Sequence, residues 1–309
     1  MDLDGDGIGD IITGCWPGEL YFFKGKGNGA FAAPVKLQRD GKDINLGSAS
    51  TVFAADWRRT GRLDLLVGNI SGDIYLIPND GGNGKPSYGT PRKLEADGQP
   101  IKAPHGDSQP IVADWDRDGL PDLIVACGDG SVVWYRNTGS KTEPKLAKGV
   151  TLVKAAPQTN HDENAPPSKE VKPGMRAKAC VVDWNGDGHL DLLVGDFSVI
   201  YGKKPTLSEA DQKAEREANV KLQELQKKLQ PFYDEYFQKT EAPAKGEDAA
   251  EAKREREKKA QEIFNRKECQ ELQKEQQKVY ETLRKFERPY TYQGSVWLYL
   301  RKAPAAASN

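Results

Sequence analysis

Apolar residues in the first two hundred positions come in short, dense runs, not in long stripes. TVFAAD from Thr51, PIVAD from Pro110 and ACVVD from Ala179 are each followed, across a polar loop, by DLLVG, DLIVA and DLLVG from Asp64, Asp122 and Asp191. DIITG at Asp10 is a fourth member of the second set. Alternating aromatic and β-branched segments follow: GELYFFKG, GDIYLIPN and GSVVWYRN. Runs of four to eight such residues between Gly and Asp predict strand, loop, strand, turn, strand in every unit. APVKLQ, TPRKLE and EPKLAKG predict a weaker fourth strand.

The period changes after residue 205. Leu222, Leu225, Leu229, Phe232 and Tyr236 recur at three-and-four spacing, the stripe of an amphipathic helix, and TLSEAD before them offers a capping box at Thr206/Glu209 or Ser208/Asp211. Pro231 either kinks this helix or begins a new one. After the breaker TEAPAKGED, a second helix is expected over 248–288, with Ile263, Leu272, Val279, Leu283 and Phe286 inward and Pro289 past its end. YQGSVWLYLRK at 292–302 then repeats the third-strand pattern, so 198–291 reads as an insertion between the second and third strands of the last unit. Its ends must return to adjacent strands, which predicts an antiparallel coiled-coil hairpin over 206–288, roughly 50 Å long at 1.5 Å per residue. Its tip, EDAAEAKREREKKAQE, is almost wholly charged.

The loops joining first and second strands share one design: DLDGDGIGD, DWRRTGRLD, DWDRDGLPD and DWNGDGHLD. With a sharp reversal at the glycine in position 6, the acids at positions 1, 3, 5 and 9 and the carbonyl at position 7 converge. Loop one offers Asp2, Asp4, Asp6, Asp10 and the carbonyl of Ile8. Loop three offers Asp114, Asp116, Asp118, Asp122 and Leu120. Loop four offers Asp183, Asn185, Asp187, Asp191 and the backbone of His189. Six to eight hard oxygens suit Ca²⁺, whereas bare carboxylates so close repel. Asp and Gly also make turns without any ion. Loop two has lost the pattern: Asp56 and Asp64 remain, and Arg58 in a ligand position is expected to bridge them in place of an ion.

The D-x-D-x-D-G-x-x-D-L pattern, over about residues 2–197 and 292–302, resembles the FG-GAP or VCBS repeat family, the calcium-loop propellers related to the integrin α-subunit head. The resemblance implies a mainly β fold: a β-propeller of four recognisable four-stranded blades, on 1–197 plus 292–303, with 304–309 as a disordered tail. It implies structural calcium in two or three loops and an extracellular or periplasmic location. Four blades can close a small propeller, but a start inside a loop favours a piece of a larger ring, seven blades being the family's habit. The calcium loops then lie on one face, with the interblade links and the helical insertion on the other. Those links carry His105, Asp107, His161, Asp162, Glu163 and Arg176, a candidate set for a sugar or an acidic ligand.

Charge narrows the partners. Lys plus Arg (45) and Asp plus Glu (46) nearly cancel over 309 residues, which gives no argument for nucleic acid or an anionic membrane surface. No apolar stretch approaches the roughly 20 residues of a membrane span. The N-terminus, MDLDGDGIGD, has no basic and apolar leader. Cys15, Cys127, Cys180 and Cys269 lack ligand spacing and predict neither disulfide nor zinc. No G-x-S-x-G, HExxH or phosphate loop occurs, and Trp16, Trp134 and Trp297 fall in or beside strands, where core packing is the default. The sequence therefore predicts a non-catalytic module for binding a protein or a glycan. A polysaccharide-binding lectin or carbohydrate-active enzyme using the link loops is the alternative.

Overall fold

The runs DLLVG from Asp64 and DLIVA from Asp122 become strands buried on both faces, which is why they read as continuous aliphatics and not as alternating ones. The computed structural model describes residues 1–82, 86–156, 172–203, 205–240, 258 and 260–302. The chain is mainly β, with several antiparallel sheets and, among the described residues, two helices. It divides into two compact units, Met1–Ile200 with Tyr292–Asn309, and Tyr201–Thr291.

In the first unit, β1 (Ile11–Gly14), β2 (Leu20–Phe23) and β3 (Val35–Lys36) form a three-stranded sheet, followed by a small hairpin of β4 (Gln38–Arg39) and β5 (Lys42–Asp43). The second sheet runs β6 (Thr51–Ala55), β7 (Asp64–Gly68), β8 (Ile74–Ile77), β9 (Arg92–Lys93), and β10 (Glu95–Ala96) pairs with β11 (Gln99–Pro100) after it. The third runs β12 (Gln109–Ala113), β13 (Asp122–Ala126), β14 (Val132–Tyr135), β15 (Val150–Val153). In the fourth, β16 (Met175–Val182) pairs with β17 (Asp191–Tyr201), which pairs in turn with β18 (Tyr290–Gln293) and β19 (Val296–Tyr299).

The register repeats. Ala55 lies opposite Asp64, Ala113 opposite Asp122 and Val182 opposite Asp191, so each acidic loop closes a hairpin at the same step. Phe23, Ile77, Tyr135 and Tyr299 likewise face Ile11, Leu65, Leu123 and Leu192. The fourth strand of the third sheet is not at EPKLAKG as the pattern predicts but at Val150–Val153; Leu146 makes isolated bridges to Ala96 and Asn137.

Three apolar cores lie between successive sheets. Leu20, Leu65 and Ile77 fill the first, Trp57, Leu66 and Leu123 the second, and Trp115, Ile124 and Leu192 the third. All five residues of β7 and of β13 are buried. Such close stacking explains the glycine that ends β7: a Cβ on Gly68 would stand 2.2 Å from the carbonyl oxygen of Ser108. Burial pushes the Cys127 thiol up to about 12, as for a small hydrophobe, but Cys180 is exposed. Trp16 also departs from the expected core placement and is largely exposed.

In the second unit, α1 (Glu209–Thr240) continues through Pro231, and α2 covers Lys267–Leu283. Ser208 and Asp211 form the capping box: Ser208 N and Oγ donate to Asp211 Oδ2 at 3.2 and 2.6 Å, and Asp211 N donates back to Ser208 Oγ at 3.2 Å. Lys221 pairs with Glu275 at 2.8 Å, and Arg266, just before α2, pairs with Glu235, late in α1, at 2.6 Å. Partners that descend in one helix as they ascend in the other make the pair antiparallel. The guanidinium of Arg266, with Lys239 beside it, pulls the Glu235 carboxyl down to about 2. The expected start of the second helix at 248 and the tail 304–309 lie outside the described residues.

Candidate metal loops

Each acidic loop is built around a buried aspartate at position 9, held by two main-chain N–H groups. Asp10 accepts from Leu3 and Gly25, Asp64 from Arg58 and Asn79, Asp122 from Trp115 and Asn137, and Asp191 from Trp184 and Arg301, all at 2.7–3.1 Å. One oxygen thus ties the loop's entry and the other ties the end of the third strand. Burial pushes the Asp122 carboxyl up, against the pull of the N–H groups of Asn137 and Trp115.

The aspartate at position 1 caps the turn. Asp2 takes the N–H of Gly7, Asp56 that of Gly61, Asp114 that of Gly119 and Asp183 that of Gly188, at 2.8–3.0 Å. The position-6 glycines have φ between 78° and 86°. A Cβ on Gly7, Gly61 or Gly119 would meet nothing within 4 Å, so backbone conformation and not space demands glycine there. Position 4 is also left-handed, at Gly5, Arg59, Arg117 and Gly186, a constraint the motif reading passed over although glycine fills two of the four. At position 5, Asp6, Asp118 and Asp187 accept the N–H of Ile8, Leu120 and His189 at 2.7–2.9 Å.

These hydrogen bonds leave specific oxygens over. Asp4 Oδ1, Asp114 Oδ1 and Asp183 Oδ1 are out of contact with solvent and have no hydrogen-bond partner. Carboxylate oxygens of Asp2, Asp4 and Asp10, and of Asp114, Asp116 and Asp122, lie within 4.8 Å of one another. Buried acceptors without donors, converging with hard oxygens, fit a divalent cation. Loop four offers the same set with Asn185 at position 3; its side-chain amide donates to Asp187 Oδ2 at 3.0 Å.

The structure adds cationic side chains that the motif reading did not identify. Lys24, directly after β2, pairs with Asp4 and, at 2.6 Å, with Asp6. Arg136, directly after β14, pairs with Asp116 at 2.5 Å and Asp118 at 3.0 Å. Both precede the residue whose N–H caps the position-9 aspartate, so they share one column of the repeat, where loop two has Pro78 and loop four Leu300. Aligning GELYFFKG with GSVVWYRN exposes that column. The ammonium of Lys24, helped by the N–H of Ile8, holds the Asp6 carboxyl below its ordinary value.

In loop two the guanidinium of Arg58 sits on Asp64, with Nη2 2.9 Å from Oδ1 and Nε 3.2 Å from both oxygens. Its second carboxylate is Asp80, at 3.0 Å, and not Asp56 as expected. The reason is local: both Asp56 oxygens already accept N–H groups, of Thr60 and Gly61, so Arg58 turns toward the end of β8.

Among the described link residues, His105, Asp107 and Arg176, no open site is assembled. Asp107 is buried and pairs with Arg176 at 2.7 Å and Lys178 at 3.1 Å. Burial would push its carboxyl up, but these two cations outweigh it and hold it below the usual range. His105 is exposed, and His161, Asp162 and Glu163 lie outside the described residues.

Stacked antiparallel sheets, each carrying an acidic nine-residue loop of one design, define a β-sheet repeat protein. The chain belongs to the FG-GAP-like repeat family, whose model matches residues 2–67, 56–125 and 114–194. Among solved structures, a Photorhabdus luminescens Tc holotoxin pore is similar at 20% identity and a TM-score of 0.38, over 63% of this chain and 8% of that one. An Agrocybe aegerita lectin that recognises non-reducing terminal N-acetylglucosamine is similar at 23% identity and a TM-score of 0.36, over 62% of this chain and 44% of that one. The chain thus spans less than half the length of either. Among the described residues, no helix is long and apolar enough to cross a membrane.

Proposed function

We propose that the chain is a non-catalytic binding module, a β-propeller whose blades are the four sheets and whose loops one, three and four hold structural calcium. The observation that carries the metal reading is the set of buried, unpaired carboxylate oxygens on Asp4, Asp114 and Asp183. Asp2, Asp4, Asp6 and Asp10 would hold the ion in loop one, Asp114, Asp116, Asp118 and Asp122 in loop three, and Asp183, Asn185, Asp187 and Asp191 in loop four, with the carbonyls of Ile8, Leu120 and His189. A bound calcium supplies positive charge that cancels carboxylate repulsion. The loops themselves fix the entry of each second strand against the exit of the first.

Lys24 and Arg136 compete for the same acids, so loops one and three bind more weakly than loop four, which has Leu300 in that column. Arg58 neutralises loop two permanently. The partner is a protein or a glycan met outside the cytoplasm, where calcium is millimolar. The helical unit, which presents Val220 and Phe237 to solvent, offers one interaction surface, and the link loops of the other unit offer a second.

Calorimetric unfolding in EDTA and in calcium tests the metal reading: each site is worth about 2.7 kcal/mol at a hundredfold excess over Kd, and Lys24→Met tightens loop one. An unchanged Tm would refute it. Glycan arrays, with hydrolase and lyase assays on acidic polysaccharides, test the rest; turnover would replace the binding reading with an enzymatic one.

A further inference from the structure

Trp115 of loop three and Leu190 of loop four pack against one apolar core, and two arginines join the loops in opposite directions. Arg301, just past β19, belongs to the column of residues whose N–H caps the position-9 aspartate, and it donates to Asp191 Oδ1 at 2.8 Å. Its side chain leaves its own sheet. The guanidinium donates through Nη1 to the carbonyl oxygen of Trp115 and lies over the Trp115 ring, with Cζ 4.9 Å from the ring centre. Trp115 is position 2 of loop three, and its N–H donates to Asp122 Oδ2 at 3.1 Å. An unbroken chain of contacts therefore runs from the position-9 aspartate of loop four to that of loop three.

The other members of that column make no such bridge. Gly25 has no side chain. Asn79 accepts the N–H groups of Gly81 and Ser87, and Asn137 accepts those of Gly139 and Lys145 while donating to Pro121 O, so both turn along their own sheet. From the other side, Arg117, position 4 of loop three, reaches over position 6 of loop four: a Cβ on Gly188 would stand 2.9 Å from its Nη2. The Asp187 carboxyl is held below its ordinary value by the N–H of His189 and the amide of Asn185, and the charge of Arg117 adds to that pull.

We infer that loops three and four are a coupled pair, each easier to fill once the other is ordered, with Arg301 and Arg117 as the positioning residues that carry the coupling. The inference rests on the calcium reading of these loops. Ordering loop four fixes Asp191 and with it the Arg301 backbone; the guanidinium then holds the Trp115 peptide at the entry to loop three. Loop three is thereby ordered before its own site fills, which is positive cooperativity without a new contact. Loop four, with Leu300 where the other loops meet a cation, fills first. It primes loop three, where Arg136 must leave Asp116 and Asp118.

Calcium titrations followed by NMR separate the two loops, because the N–H groups of Gly119 and Gly188 cap Asp114 and Asp183 at 3.0 and 2.9 Å and report each loop by itself. Asp183→Asn with Asp187→Asn disables loop four while keeping acceptors for the N–H groups of Gly188 and His189. The Gly119 midpoint should then rise about fivefold or more, and Asp116→Asn with Asp118→Asn should raise the Gly188 midpoint by the same factor, since coupling is reciprocal. Arg117→Met with Arg301→Met keeps every loop ligand and the N–H on Asp191. In that background, disabling loop four should move the Gly119 midpoint by less than about twofold. A merely structural role for the arginines would shift both midpoints and leave the factor intact. Should the paired substitutions unfold the chain, Asp187→Asn alone and Arg301→Met alone give the same comparison. A Gly119 midpoint unmoved by disabling loop four, or a factor unchanged without the arginines, overturns the coupling and leaves the calcium reading standing. Neither amide moving at millimolar calcium overturns both.

Discussion

Replacing Arg58 by alanine removes the cation that neutralises Asp64 in loop two. Asp64 is fully buried, and it would keep only the N–H groups of Arg58 and Asn79 after losing three guanidinium contacts. Removing one partner of a buried ion pair costs about 3–5 kcal/mol because the other charge is stranded. The Arg58 side chain is 23% exposed, so water reaches the gap and the lower end applies. The bridge to the exposed Asp80 adds less than about 1 kcal/mol. A loss of about 3 kcal/mol, at about 2–4 °C each for a domain near 200 residues, lowers Tm by about 6–12 °C. Differential scanning calorimetry reads this directly, and the R58A/D64N double variant should recover part of the loss, since it removes the stranded charge along with its partner. A Tm within about 1 °C of the parent, corresponding to well under 1 kcal/mol, would refute the reasoning. R58D restores an oxygen ligand at position 3, so its instability in EDTA should be relieved by calcium.

Gly68→Ala forces a Cβ against the Ser108 carbonyl at 2.2 Å and should cost about 1–3 kcal/mol in chemical denaturation through overpacking. Arg59→Gly relieves a left-handed residue with φ 52° on the surface and should raise stability by about 0.5–1 kcal/mol, read from the urea midpoint. Asp107 has a folded value below its ordinary 3.8, so its contribution is present above about pH 4 and is lost as pH falls through the folded value; Asp107→Asn should remove that part of the acid limb of a Tm-against-pH curve.

The strands and loops were legible because each repeat states them again, and the second and third strands fall where the aliphatic and aromatic runs lie. The fourth strand of the third sheet was not, since Leu146, in the expected run, forms isolated bridges and regular pairing begins only past Gly149, at Val150–Val153. In the loops, residue types indicated acids that converge but not how they divide the work. The position-9 aspartates hold backbone, and the cations on positions 3 and 5 come from Lys24 and Arg136, two strands further along the sequence. Arg58 was identified as an ion's replacement, yet its second partner was misassigned, because side-chain reach across a sheet leaves no trace in local spacing. Exposure was harder still: Trp115 and Trp184 stand at the same position of the loop motif, yet one is buried and the other exposed.

The account turns on a cation in the acidic loops. Long-wavelength anomalous diffraction from crystals grown with calcium measures this most directly. The account predicts an anomalous peak enclosed by Asp183, Asn185, Asp187 and Asp191, further peaks in loops one and three as calcium is raised, and none beside Arg58. Loops one, three and four without a peak at millimolar calcium, or a peak seated in loop two, would contradict it.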